Sequence, residues 1–107
     1  MFALVVRFDL KDEDAADAFD SLVSRTAEGI AQHEPGTLVY ATHRVAGEPL
    51  ARVFYEVYAD REAFEEHERQ PHTLTFLSDR ENYVASSRVE FLEDGPSKGL
   101  PRQVTDD

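Results

Sequence analysis

The sequence predicts an α+β domain in which helices cover one face of a four-stranded antiparallel sheet. Four segments show the apolar alternation of β-strands, and amphipathic helical segments separate them in the order β-α-β-β-α-β. This order is typical of the ferredoxin-like split βαβ arrangement. The chain has 107 residues, which is the size of one domain.

The first strand and the first helix account for the N-terminal third. Alternate residues are apolar from about Phe2 to Asp9, as in a strand with one buried face. Asp12 or Asp14 then caps an amphipathic helix that is expected to reach about His33. The helix ends there because Glu34-Pro35-Gly36 combines a residue that breaks the helical ladder with one that tolerates a turn.

A hairpin, a broken helix and a last strand account for the rest. The turn-rich loop at 46–49 joins two strands, and Asp60 caps the next helix, which restarts at Pro71. The expected strands are Thr37–Val45, Ala51–Ala59 and Tyr83–Leu92, and the expected helical segments are Arg61–Gln70 and His72–Arg80. The domain is predicted to span 1–93, followed by a polar tail at 94–107.

Charge and composition disfavour several classes of function. The chain has 11 Lys and Arg against 22 Asp and Glu, a net charge of −11, which disfavours nucleic acid and anionic membrane surfaces as partners. No apolar run approaches the ~20 residues of a membrane span. The absence of cysteine rules out disulfides and thiol chemistry, and together with the absence of a signal peptide it predicts a cytoplasmic location.

Both faces of the predicted sheet carry apolar residues. The third strand places Val53, Tyr55 and Val57 on one face and Phe54 and Tyr58 on the other. Two helical segments can cover only one face. A second copy of the chain is the natural cover for the other, so the sequence predicts a homodimer, with a different partner protein as the alternative.

Histidine and carboxylate are the candidate catalytic groups. His67 lies on the inward stripe of its helix with Phe64, and His72 follows the break at Pro71. Glu56 lies in the most apolar strand, where a carboxylate must be paired, solvated or shifted in pKa. Each of these residues also has a structural interpretation: the histidines as satisfied core histidines, and Glu56 as the partner of Arg7, Arg88 or a histidine across the sheet.

Other kinds of site are poorly supported. The spacing of His67 and His72 across a proline does not suit a metal pair, and we expect no metal. The sequence has no glycine-rich phosphate loop, GxSxG elbow, HExxH motif or dinucleotide fingerprint. An enzyme of this sequence would therefore work with histidine, carboxylate, tyrosine and arginine, and we expect no bound cofactor.

Two stretches of the sequence resemble a known family. YEVYADREAFEEHERQPHTLTFL at 55–77 and EPGTLVY at 34–40 are similar to the antibiotic biosynthesis monooxygenase domain family, and the likeness covers about residues 2–92. The resemblance implies a dimeric α+β barrel with a pocket between sheet and helices in each subunit. It also implies a set of site residues: His67, His72 and Glu56 as catalytic groups, and Tyr40, Phe54, Tyr58, Phe64 and Arg88 around the substrate.

The resemblance implies a cofactor-independent monooxygenase that oxidises a small aromatic or hydroquinone with molecular oxygen. His67 or His72 would be the base, Glu56 would orient it, and Tyr58 or Arg88 would hydrogen-bond the substrate oxygen. A non-oxidative isomerase and a non-catalytic binding module are the alternatives. The chain has no tryptophan, which disfavours haem breakdown.

The cations near the expected site favour a neutral aromatic substrate. They are few in a heavily acidic chain: Arg7, Arg44, Arg52 and Arg88.

Overall fold

The computed structural model describes residues 1–101, in which three helices pack on one face of a four-stranded antiparallel sheet. The sheet has the strand order β2-β3-β1-β4, which confirms the predicted ferredoxin-like fold. No helix within these residues is long and apolar enough to span a membrane. The elements are β1 (Phe2–Leu10), α1 (Glu13–His33), β2 (Thr37–Val45), β3 (Glu48–Tyr58), α2 (Arg61–Arg69), α3 (Pro71–Asp79), a 3-10 turn (Arg80–Asn82) and β4 (Val84–Leu92).

The hairpin between β2 and β3 is tighter than predicted. β3 begins at Glu48 rather than Ala51, because the turn needs only Ala46 and Gly47. Gly47 has a φ of 79°, a left-handed conformation that glycine adopts without the steric cost of a side chain. The longer strand places its central residues opposite β1, with Glu56 paired to Leu4 and Phe54 paired to Val6.

Aspartate caps begin the first two helices, and a proline begins the third. Asp12 accepts a hydrogen bond from the Ala15 amide at 2.8 Å, and Asp60 does the same for the Ala63 amide. Gln70 has extended backbone (φ −68°, ψ 142°), as expected before a proline. The chain therefore changes direction between α2 and α3, which separates the two helices that carry His67 and His72.

Aromatic side chains form the centre of the core. Phe8 of β1 packs 4.9 Å from Phe54 of β3 and 5.2 Å from Phe19 of α1, measured between ring centroids. Phe76 of α3 completes the group at 5.8 Å from Phe19. These contacts fix α1 and α3 on the same face of the sheet.

A buried ion pair fastens α1 to β3. Arg52 is 4% exposed, and its Nε and Nη2 donate to the two carboxylate oxygens of Asp20 at 2.9 and 3.1 Å. Two backbone carbonyls, of Pro49 and Ala51, take further hydrogen bonds from Arg52. The exposed Arg44 also reaches Asp20, at 2.9 Å.

The opposite face of the sheet has no helix over it among the described residues. Val5, Val53 and Tyr55 lie in its centre and are half-buried. Arg7, on the same face, pairs with Asp9 and Glu48. The alternation predicted for β3 is therefore confirmed on both faces.

Beyond β4, residues 93–101 contain no helix or strand. The Met1 amino group pairs with Asp94 at 2.9 Å, so the start of the predicted tail is held near β1. The remainder of that tail, 102–107, lies outside the described residues.

Replacing Asp20 should destabilise the fold far more than replacing Arg44. Asp20→Ala leaves a buried guanidinium without its carboxylate, which we expect to lower the free energy of unfolding by about 2–3 kcal/mol. Arg44→Ala removes only an exposed pair, and we expect a change below about 1 kcal/mol. Urea unfolding followed by circular dichroism measures both, and equal losses would contradict the importance given to the Asp20–Arg52 pair.

Candidate active site

A cavity of about 180 Å³ lies between the sheet and the helices. Its walls are mainly apolar, and four chemically active side chains join them. An apolar cavity of about 150 Å³ holds a benzene molecule, so this space is the size of one substituted aromatic ring. The apolar lining includes Leu4, Val6, Phe8, Phe54, Phe76 and Phe91, and the active groups are Glu56, His67, Glu68 and Arg80.

Glu34 joins the elements behind this cavity. It follows the last residue of α1, and its side chain is only 2% exposed. Three groups donate to its carboxylate: His67 Nδ1 at 2.7 Å, Thr37 Oγ1 at 2.7 Å, and His72 Nε2. A buried carboxylate needs such donors, because burial without them costs several kcal/mol.

His67 of α2 lies between Glu34 and the cavity. Since a carboxylate oxygen accepts, its hydrogen bond assigns the proton to His67 Nδ1 and leaves Nε2 as the free acceptor. That Nε2 is 3.9 Å from Glu56 Oε1. The Thr73 hydroxyl is 3.4 Å from Nδ1. The imidazole is thus held in one orientation with its basic nitrogen beside a carboxyl group in the cavity wall.

Glu56 lies in the wall formed by β3. Tyr58, two residues along the same face, donates its hydroxyl hydrogen to Glu56 Oε1. Burial raises the pKa of Glu56. The hydrogen bond from Tyr58, and the positive charge that His67 carries when it is protonated, oppose that rise. Burial likewise raises the pKa of Tyr58, with the charge of Glu56 adding to it, so Tyr58 stays a neutral donor.

Tyr40 of β2 lines the cavity opposite the helices. Its ring lies 5.8 Å from that of Phe54 and 6.3 Å from the His67 imidazole. Burial raises its pKa strongly, with the charges of Glu56 and Glu34 adding to the effect. Tyr40 therefore keeps its proton.

His72 lies behind Glu34 and does not line the cavity. Its ring packs directly on Gly29 of α1, where an added Cβ would come within 2.6 Å of the imidazole. It also borders a surface depression with His33, Gln70 and Pro71. The glycine therefore provides the space that lets His72 reach Glu34.

The structure brings most of the predicted site residues together. The cavity is lined by five of them: Tyr40, Phe54, Glu56, Phe64 and His67. Tyr58 and His72 lie directly behind Glu56 and Glu34 and act on the cavity through them.

Arg88 is not in this group. It pairs across the sheet with Arg7, on the face away from the cavity, and its exposed side chain reaches Glu90 at 2.7 Å. Its neighbours Val89 and Phe91 face the cavity instead. The suggested pairing of Glu56 with Arg7 or Arg88 is wrong for the same reason, because both arginines lie on the opposite face.

Sequence reasoning missed Glu34 and Arg80. The sequence pattern identifies Glu34 only as part of a helix end and Arg80 only as the end of a helical segment. No local pattern predicts the contact between Glu34 and His67, because Glu34 follows an amphipathic helix and His67 lies 33 residues further along the chain. Among residues 1–101, no group of three or more histidine, aspartate or glutamate side chains is arranged to hold a metal ion.

One family model matches most of the chain. The sequence profile described as antibiotic biosynthesis monooxygenase matches residues 1–78. No match was found among curated proteins.

Solved structures show the same fold at low sequence identity. A crystal structure of an antibiotic biosynthesis monooxygenase has a TM-score of 0.80 and 22% identity, covering 90% of this chain and 100% of its own. Rv0793 from Mycobacterium tuberculosis has a TM-score of 0.80 and 24% identity, covering 90% and 96%. SnoaB, a cofactor-independent oxygenase from Streptomyces nogalater, has a TM-score of 0.79 and 21% identity, covering 92% and 96%.

The raised pKa of Glu56 predicts how stability depends on pH. A folded state that holds the proton more tightly than the unfolded chain gains stability below the unfolded pKa and loses it as pH rises through the folded pKa. Glu56→Gln removes this dependence. We therefore expect the free energy of unfolding of the wild type to fall, relative to that of Glu56→Gln, as pH rises from 4 to 8.

Urea unfolding at several pH values measures the difference. Glu62→Gln, at an exposed position of α2, is the control and should follow the wild type. Parallel curves for the wild type and Glu56→Gln would contradict the raised pKa.

Proposed function

Since the chain belongs to the antibiotic biosynthesis monooxygenase family, we propose that it is a cofactor-independent monooxygenase that oxidises a phenol or hydroquinone ring bound in the cavity. The observation that carries this proposal is the imidazole of His67. Its Nδ1 is bonded to the buried Glu34, and its Nε2 is the basic atom at a cavity the size of one aromatic ring. Such an arrangement is suited to removing a phenolic proton.

Deprotonation is the step that the protein must supply. A phenolate gives an electron to molecular oxygen far more readily than a phenol does, and the two resulting radicals combine at a ring carbon to form a hydroperoxide. Loss of the hydrogen from that carbon breaks the O–O bond and gives a quinone and water. One oxygen atom enters the ring, and the other leaves as water with the two hydrogens lost from the substrate.

His67 serves as base and then as acid in this sequence. Its Nε2 takes the phenolic proton, and Glu34 stabilises the imidazolium that forms through the 2.7 Å bond to Nδ1. The imidazolium next protonates the peroxide oxygen. His67 then takes the proton from the ring carbon and returns it to the departing hydroxide. Each proton is moved by one side chain without bulk water.

Glu56 and Tyr58 supply the polar wall beside that base. Burial keeps Glu56 protonated over a wider pH range than an exposed glutamate, so its carboxyl can donate a hydrogen bond to the substrate oxygen. Tyr58 fixes the orientation of Glu56 from behind. Tyr40, Phe54 and Phe64 enclose the ring in apolar surface, where such hydrogen bonds are stronger than in water.

Substituting the proposed base should strongly reduce the rate of oxygen consumption. With phenol and hydroquinone substrates, we expect His67→Ala to lower kcat/KM by about 100-fold or more, and Glu34→Gln by about 10-fold or more. An oxygen electrode and chromatographic detection of the quinone measure the rate above autoxidation. Circular dichroism verifies that each variant folds.

His33→Gln is the matched control, because His33 is exposed at the end of α1 and does not line the cavity. It should keep the wild-type rate. Wild-type protein that consumes no oxygen above autoxidation with any phenol or hydroquinone would contradict the monooxygenase.

An isomerase is the second candidate, and one observation favours it. A base 3.9 Å from a carboxyl group whose pKa is raised by burial is also sufficient to move a proton between two carbons of one substrate. Exchange of substrate hydrogen for deuterium in heavy water, without oxygen uptake, would identify this reaction.

We also propose that a second copy of the chain covers the open face of the sheet. Half-buried Val5, Val53 and Tyr55 form the apolar centre of that face, and Arg7, Asp9, Arg88 and Glu90 supply charges of both signs beside it. Such a face is self-complementary in both hydrophobicity and charge, which suits a two-fold dimer.

Introducing a charge at the centre of this face should dissociate the dimer. We expect wild-type protein to elute as a dimer, and Tyr55→Glu as a folded monomer, because a buried unpaired carboxylate costs several kcal/mol. Size-exclusion chromatography with light scattering measures the mass. Thr75→Glu makes the same charge change on the exposed surface of α3 and should remain dimeric. A wild type that remains monomeric when the protein concentration is raised would contradict the proposal.

A further inference from the structure

We propose that Arg80 binds a carboxylate of the substrate, so that the cavity selects aromatic acids carrying a phenolic hydroxyl. This inference rests on the proposed function for the phenolic ring of the substrate. The position of Arg80 alone supports the carboxylate group. The sequence predicts a neutral aromatic substrate on the basis of Arg7, Arg44, Arg52 and Arg88, a set that does not include Arg80.

Arg80 lies where the end of α3 meets the cavity. It is the first residue of the 3-10 turn, is half-buried and lines the cavity. Its guanidinium carbon is 5.7 Å from the centroid of the Phe8 ring, over one face of that ring. This contact holds the side chain against the apolar wall and leaves the N–H groups available to a ligand.

The guanidinium of Arg80 makes no ion pair with any residue in 1–101. Most other arginines in that range do pair with carboxylates: Arg7, Arg44, Arg52, Arg61, Arg69 and Arg88. The chain carries twice as many acidic as basic residues, so a half-buried arginine without a carboxylate is unexpected. Arg25 also lacks an ion pair within the described residues, but it is exposed on α1 and does not line the cavity.

Arg80 and Glu56 lie near different ends of the cavity. Leu4, Val6 and Phe8 line it in succession along β1. Glu56 pairs across the sheet with Leu4, whereas Arg80 lies over Phe8, four residues further along. Four residues of strand span about 13 Å, a distance that a substituted ring and the long arginine side chain can bridge together.

The two acidic residues in 1–101 that line the cavity, Glu56 and Glu68, do not pair with Arg80. Burial raises the pKa of Glu56 and favours its neutral form, and Glu56 belongs to the other end of the cavity. Glu68 also lines the cavity, but it is exposed and therefore solvated.

One guanidinium matches one carboxylate. Its planar N–H groups donate two parallel hydrogen bonds to the two oxygens of a carboxylate. A phosphate with two charges would need further cations that converge on it. Arg7, Arg44 and Arg52 already pair with carboxylates. Arg88 lies on the opposite face of the sheet. The geometry therefore favours a carboxylate.

A pair of ligands that differ only in charge tests the proposal. The probes are 4-hydroxyphenylacetate and 4-hydroxyphenylacetamide, which share the ring, the hydroxyl and the size of the side arm. Isothermal titration calorimetry under nitrogen measures binding without turnover. We expect the wild type to bind the acid at least 10-fold more tightly than the amide.

Arg80→Gln should remove that preference. We expect its Kd for the acid to rise about 10-fold or more and its Kd for the amide to change less than about 2-fold, as for one lost charge-assisted pair. Arg80→Lys should fall between the wild type and Arg80→Gln for the acid. Arg25→Gln makes the same charge change away from the cavity and should bind both probes like the wild type.

Three outcomes would overturn the proposal. They are equal affinity of the wild type for both probes, binding of neither probe, and an unchanged preference in an Arg80→Gln variant that melts like the wild type. Oxygen uptake is measured separately. If the wild type binds the acid selectively but consumes no oxygen with any phenol or hydroquinone, the monooxygenase fails and the carboxylate site stands.

Discussion

The buried carboxylate of Glu34 is the contact on which the candidate site depends. It receives hydrogen bonds from β2, α2 and α3 through Thr37, His67 and His72, while its own backbone ends α1. Desolvating this carboxylate costs several kcal/mol, and its three donors offset that cost only while they are in place. The same contact therefore closes the fold on this side of the cavity and assigns one tautomer to His67.

The break at Pro71 makes this arrangement possible. A continuous helix would rotate positions 67 and 72 by about 500°, or about 140° apart around its axis, so the two histidines could not meet one carboxylate. Ending α2 at Arg69 and beginning α3 at Pro71 turns both imidazoles toward Glu34. The close approach of His72 to Gly29 then fixes α3 against α1.

Alternation predicts the fold and the part of the cavity wall that lies on β3, whereas the other cavity residues followed from the helical stripe of α2 and from the family resemblance. The period of two in β3 assigns Phe54, Glu56 and Tyr58 to one face without any knowledge of neighbours. It could not identify Glu34, because a helix-end signal describes the backbone and leaves the direction of the side chain open. For Arg88 the same alternation was informative, since the apolar Val89 and Phe91 share the opposite face of β4. The homodimer, the cytoplasmic location and the domain boundary at residue 93 remain predictions.

Strand β3 links the proposed site to the proposed dimer. Its alternate residues supply the cavity wall on one side and the apolar centre of the open face on the other, so both surfaces depend on one register with β1. A shift by one residue would move Glu56 to the open face and Tyr55 into the cavity. The buried Asp20–Arg52 pair and the tight turn at Gly47 both act on this strand, and both oppose such a shift. The proposed base, the cavity and the proposed interface therefore all require the same register of β3 against β1.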